Sequence, residues 1–221
     1  IRAAGSAAAA TAKSALDASF GDQASAAALL DQPGVEPTAT PVVSTPSLVL
    51  PVTIPLTAGS AADVSEADKA FVAEALATVL PAVDVSKVEI AVIEKADGSV
   101  ELVAYITVDA SLAAVTAILL NSGIPDQEAA AALLDKPGVE PSAAPDVGAP
   151  SQMLSVTIPV AALSASDKPA VAAVIAAAAG VDVGAVVIEL VERADGSLEL
   201  VAYITVAEDA AADAKSDLES S

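Results

Sequence analysis

Carboxylates are the only strong metal ligands in this 221-residue chain, because it contains neither histidine nor cysteine. Asp63, Glu66 and Asp68 stand close together in sequence, as do Glu208, Asp209 and Asp213. Neither group has the spaced oxygen ligands and glycine turn of a calcium loop, so each reads first as a solvated acidic face and second as a weak calcium site. The missing histidine removes the commonest general base, and the missing cysteine removes thiolate nucleophiles, thiolate metal sites and disulfides. Paired carboxylates could do acid–base work only inside a pocket, and no pattern in the sequence specifies one. The expectation is a protein that is not an enzyme and carries no cofactor and no metal.

Charge narrows the partners. Thirty acidic residues against nine basic ones give a formal charge of −21, which repels phosphate backbones and anionic membrane surfaces, so nucleic acid is excluded as a partner. A basic protein surface is compatible with that field. Hydrophobic residues make up 54% of the chain but aromatic residues only 2%, which predicts closely packed cores of small side chains. The longest apolar run, residues 170–181, falls short of the roughly twenty residues needed to span a bilayer. No transmembrane segment is expected, and the chain would be at most peripheral to a membrane. Residues 1–15 hold Arg2 and Lys13 but no acid, and they read as an Ala-rich helix in preference to the remnant of a targeting peptide.

Self-comparison shows a duplication. DQASAAALLDQPGVEP at residues 22–37 recurs as DQEAAAALLDKPGVEP at 126–141, VTIP at 52–55 recurs at 156–159, and KADGSVELVAYITV at 95–108 matches RADGSLELVAYITV at 193–206. The spacing between matches shortens along the chain, which places deletions in loops near residues 57–64 and 81–86, where a core tolerates them. The division read from this is module 1 over residues 1–108, module 2 over 109–206, and an acidic tail over 207–221. Each module reads as helix, helix, extended segment, strand, helix, strand, strand. The fold class expected is α+β: two tandem repeats, each an open three-stranded sheet with a βαββ core, a ferredoxin-like half, and additional N-terminal helices packed on it. In the second copy those helices are expected at about residues 110–120 and 127–134.

The elements that position any site follow from periodicity. Ser65 and Asp68 form a capping box, which Ser164 and Asp167 should repeat, and Val72, Ala75, Leu76, Val79, Leu80 and Val83 make one helical stripe. Val171, Val174, Ile175 and Ala178 are its counterparts. Val88, Ile90 and Val92 lie on one face of a strand, and Val100, Leu102, Ala104, Ile106 and Val108 on one face of the next. Matching those faces requires a three-residue loop of Ala96, Asp97 and Gly98, which aligns Val92 with Leu102 and puts Gly98, and likewise Gly196, in the left-handed conformation. The strand at 48–56 carries Pro51 and Pro55, which cannot donate to a ladder, so it is expected at a sheet edge, with the order strand one, strand three, strand two. The Pro-rich stretches at 36–47 and 140–151 should be extended connectors.

Two further features could act. The segments at 29–37 and 133–141 are either a helix stop with a tight turn or a docking loop. Tyr105 and Val103, with Tyr203 and Val201, lie on the sheet face away from the helix, a face too apolar for plain solvent. The helix pairs, the other copy or a protein partner must cover it, and these four residues are the candidate partner-binding set.

The hairpin sequences Gly98-Ser99-Val100-Glu101-Leu102 and Gly196-Ser197-Leu198-Glu199-Leu200, set in a strand–helix–strand–strand order, resemble SEA-type domains, whose hairpin carries Gly-Ser followed by valines. Glu101 and Glu199 stand where that pattern has its central valine. The resemblance implies an extracellular or lumenal spacer or assembly module without a cofactor. It also implies possible self-cleavage between Gly98 and Ser99 and between Gly196 and Ser197, against the reading of both sites as ordinary Asp-Gly turns. Taken together, the sequence is read as a structural, assembly or linker subunit working through protein–protein contacts in a larger assembly, for instance at the periphery of a photosynthetic or other membrane complex, in an organelle lumen or outside the cell. The alternative is a secreted or surface acidic module that binds calcium or a ligand.

Overall fold

The computed structural model describes residues 2–31, 35–81, 83–95, 97–136, 139–164, 166–193 and 196–206. In chain order the helices and strands are α1 (Arg2–Ser19), α2 (Gln23–Leu30), β1 (Val42–Val43), β2 (Ser47–Leu56), α3 (Glu66–Val79), β3 (Val88–Glu94), β4 (Val100–Thr107), α4 (Ala113–Gly123), α5 (Gln127–Leu133), β5 (Asp146–Val147), β6 (Ser151–Val160), α6 (Lys168–Ala179), β7 (Val186–Glu192) and β8 (Leu198–Val206). The chain is a mixed α+β protein with open antiparallel sheet.

Two compact units form. One is residues 48–150, and the other joins residues 1–47 to the residues from 151 onward. The sequence division at 108/109 therefore falls inside the first of these units, and the helices α1 and α2 belong with β6, α6, β7 and β8.

In the contiguous unit the strands run β3, β4, β2 in antiparallel register, with Val92 opposite Leu102 and Val52 opposite Ala104. The helix α3 starts at Ser65, whose hydroxyl accepts from the Asp68 N–H while the Asp68 carboxylate accepts from the Ser65 N–H, a capping box that satisfies two otherwise orphaned donors. Its buried face, Val72, Ala75 and Leu76, packs with Leu50, Ile54, Ile90, Leu102 and Ile106 from the sheet and Leu120 and Ile124 from the end of α4. A Cβ on Gly123 would stand 2.2 Å from Val79 Cγ1, so only glycine lets α4 end this close to α3.

The second unit has the order β7, β8, β6, with Leu190 and Ile158 both opposite Leu200. Val171 and Ile175 of α6 share a core with Ile188, Leu200 and Ile204, and α1 and α2 close it with Leu16, Phe20 and Leu30. Val88, Ile90, Leu102 and Ile106, expected on inward strand faces, are buried, and so are their counterparts Val186, Ile188, Leu200 and Ile204.

Three expectations change. The strand β2 is not at an edge, because β5 pairs along its other side, Val52 opposite Val147. The prolines are tolerated because that side calls on carbonyls: Pro51 O accepts from Gly148 N and Pro55 O from Ser142 N, each at 2.8 Å. The connectors thus contribute a strand instead of only spanning a gap. The same happens in the other unit, where β1 pairs with β6, so each unit contributes four paired strands and not three. Finally, Ser164 and Asp167 do not cap a helix. Their side chains bond each other at 2.6 Å, but α6 begins only at Lys168 with Pro169 in its first turn. Proline has no N–H to bond back into the preceding turn, so it is accommodated only where helical N–H groups are unbonded anyway.

Candidate functional site

The hairpin turns are closed by backbone bonds. Lys95 N donates to Ser99 O at 2.8 Å and Gly98 N to Lys95 O at 2.9 Å, and Arg193 N and Gly196 N make the same bonds at the same distances. Gly98 and Gly196 both have φ of +81°, where a side chain would be strained and glycine is not. Ser99 Oγ donates to Asp97 Oδ1 at 2.6 Å and Ser99 N to the same oxygen at 3.0 Å. Those bonds, the hydroxyl first and the N–H second, hold the Asp97 carboxyl below its ordinary 3.8, which makes it a weak base toward the serine. The groups the geometry supplies at Gly98-Ser99 are those of a tight turn. Ala96, Ala194 and Asp195 lie outside the described residues.

The acidic group at the start of α3 is occupied by its neighbours. Glu66 Oε1 accepts from Lys69 Nζ at 2.7 Å. Asp68 Oδ1 lies 2.6 Å from Lys136 Nζ, which also donates to Ala67 O at 3.3 Å and sits 5.3 Å from the centroid of the Phe71 ring. The Lys136 ammonium, followed by the Ser65 hydroxyl and N–H, lowers the Asp68 carboxyl to about 2. This clamp fastens the end of α5 to the first turn of α3. Among the described residues no three acidic side chains converge on a point that could hold a metal ion. Glu208, Asp209 and Asp213 lie outside the described residues.

The loops after α2 and α5 fold back on their own helices. Gln23 Nε2 donates to Pro37 O at 2.7 Å and Gln127 Nε2 to Pro141 O at 2.8 Å, while Val35 and Val139 are buried. Two glutamines at the first positions of short helices were not singled out by sequence; their identical setting in the two matching segments is the signal that marks them. Gln32, Pro33, Gly34, Pro137 and Gly138 lie outside the described residues. A depression of about 340 Å³ beside the first loop is lined by Ala27, Asp31, Val35, Glu36 and Pro37.

The candidate partner-binding residues have little exposed surface. Tyr105 is 3% exposed, Val103 7% and Tyr203 7%, and Val201 is half-buried. On the same strand faces lie Ala91, opposite Val103, and Glu189, opposite Val201, and both are buried.

Exposed apolar surface lies elsewhere, along α4. Leu112, Val115, Ile118 and Leu119 are 39%, 53%, 65% and 36% exposed, and their spacing of three to four residues puts them on one side of the helix. The opposite side, Ala113, Thr116 and Leu120, is buried. The helix is therefore apolar around most of its circumference. The sequence signal was present: residues 110–125 carry no charge, in a chain of net charge −21. At the matching places in α1 stand Ala8, Thr11, Ser14 and Ala15, so this stripe belongs to one unit alone. No helix among the described residues is long and apolar enough to cross a membrane. No protein-family model and no curated protein matches the chain.

Proposed function

We propose that this chain is a non-enzymatic structural or assembly subunit, a tandem duplication of one α+β module whose βαββ cores are each a ferredoxin-like half, and that it works by presenting the α4 stripe to a partner protein. One form of this role is a linker subunit at the periphery of a large membrane complex. The observation that carries the reading is the exposed row of Leu112, Val115, Ile118 and Leu119 on an uncharged helix. A row of that kind suits the apolar side of a partner helix. The partner that fits has lysine or arginine along its rim, because the rest of the chain is strongly acidic.

The test is a titration of the full chain with a synthetic helical peptide bearing a leucine face and a lysine rim. Wild-type protein binds it, weakens with added salt, and prefers it to a peptide with the same leucine face and a glutamate rim. Ile118→Glu loses at least about tenfold in affinity while its melting temperature stays near wild type, since the side chain is mostly exposed. Equal binding by wild type and Ile118→Glu, or no preference for the basic rim, overturns the reading.

A further inference from the structure

Two helical segments, residues 1–47 and residues 109–150, each seat on a strand–helix–strand–strand core, and the two segments are alike, as are the two cores. The first segment seats on residues 151–206 and the second on residues 48–108. The backbone contacts of the two seats nearly coincide. Thr38 N donates to Pro159 O where Ser142 N donates to Pro55 O, and Ala161 N donates to Glu36 O where Thr57 N donates to Glu140 O. Those contacts are shared by both seats and cannot tell one segment from the other.

One pair of positions differs, and it differs in a matched way. In one seat Ser44 N donates to Ser155 O at 2.8 Å, and Ser155 N donates back to Ser44 Oγ at 2.7 Å. In the other the same two places hold Gly148 and Pro51. Gly148 N donates to Pro51 O at 2.8 Å, and nothing need return, because proline has no N–H. A Cβ on Gly148 would lie 2.8 Å from Pro51 Cγ, a clash with a rigid ring. We propose that Ser44, Pro51, Gly148 and Ser155 form a pairing code that assigns each helical segment to its core and rejects the other assignment. Crossed seating, within one chain or between two copies, sets the Ser44 side chain against the Pro51 ring. It also sets Gly148 against Ser155, whose N–H then loses its hydroxyl acceptor. Both crossed seats are penalised and both native seats are satisfied. The clamp at Lys136 points the same way: core 48–108 answers it with Asp68 and Phe71, while core 151–206 has Asp167 and Ala170 in those places and segment 1–47 has Gln32 in place of the lysine.

The chain has no cysteine of its own, so introduced thiols can report the seating. In the native register Val43 faces Val156 and Val52 faces Val147; crossed seating brings residue 43 opposite residue 52. In the full chain carrying Val43→Cys, Val52→Cys and Val156→Cys, oxidation and peptide mapping should give the 43–156 disulfide. Exchanging one side of the code, Ser44→Gly with Gly148→Ser, should raise the ratio of 43–52 to 43–156 linkage at least about tenfold, or abolish both linkages if neither seat closes. Adding Pro51→Ser and Ser155→Pro, which exchanges the other side, should restore the 43–156 disulfide. An unchanged linkage ratio in the half-exchanged chain overturns the proposal. So does failure of the complete exchange to restore it.

Discussion

The unit of residues 48–150 and the unit built from residues 1–47 with 151–206 reach the same strand order with different local chemistry. One relies on Gly148 against Pro51, the other on Ser44 hydrogen-bonded to Ser155. One fastens α5 to α3 through Lys136, Asp68 and Phe71, and the other starts α6 at Lys168 without a side-chain cap and with Pro169 in the first turn. One exposes an apolar row on α4, while the matching places on α1 are small or polar. The differences come in compensating pairs across a contact wherever backbone bonding is at stake, and singly wherever a side chain reaches solvent. A shared fold therefore constrains what must be satisfied and leaves open which residue satisfies it.

The largest effect on the comparison of the two units should come from charging their buried tyrosines. Tyr105→Asp and Tyr203→Asp each bury a carboxylate where the native side chain is 3% or 7% exposed, and each should cost about 3 kcal/mol or more. Calorimetric unfolding checks this, and a variant that melts like wild type would show that its tyrosine face is open. The hairpins should behave alike. Gly98→Ala and Gly196→Ala place a Cβ at φ of +81° and should each destabilise by about 1 kcal/mol. A gap of more than about 0.5 kcal/mol between the two in denaturant titrations would show that the turns are not equivalent.

The smallest effect at neutral pH should come from Lys136→Gln, which gives the first unit the residue found at position 32. The ion pair is partly exposed, with side-chain exposures of 31% and 13%, so its loss should cost less than about 1 kcal/mol. Its acid dependence is sharper. Asp68 is held at about 2 in the folded chain against an ordinary 3.8, so folding favours its charged form. That contribution is complete above about pH 4 and is lost as the pH falls toward about 2. Melting curves between pH 5 and pH 2 should fall more steeply for wild type than for Lys136→Gln, and parallel curves would remove Lys136 as the cause.

Much of this fold was legible because periodicity reports burial directly. Alternation in Val88, Ile90, Val92 and in Leu102, Ala104, Ile106 placed both strands, and matching their faces placed Gly98 in the turn. Periodicity is silent on what covers the second face of a sheet, so Tyr105 and Tyr203 read first as internally packed and second as a docking surface. It was also silent on which helical pair meets which core. The segments at 22–37 and 126–141 are nearly the same string, and the choice rests on four residues in connectors and strands that read individually as ordinary Pro, Gly and Ser. The exposed row on α4 was missed for a related reason: an Ala- and Leu-rich helix shows no polar side from which its outward direction could be inferred.

The interleaved division of the chain has a consequence in time. Residues 48–150 form a continuous stretch and can assemble as they leave the ribosome, whereas α1 and α2 emerge before them and find their strands only when residues 151–206 have been made. At synthesis rates of about 5–20 residues per second this leaves Leu16, Phe20 and Leu30 without their core for on the order of ten seconds or more. Throughout that interval α1 and α2 are older than the finished unit beside them and yet less complete, and the translation of β6, β7 and β8 determines when they are sheltered.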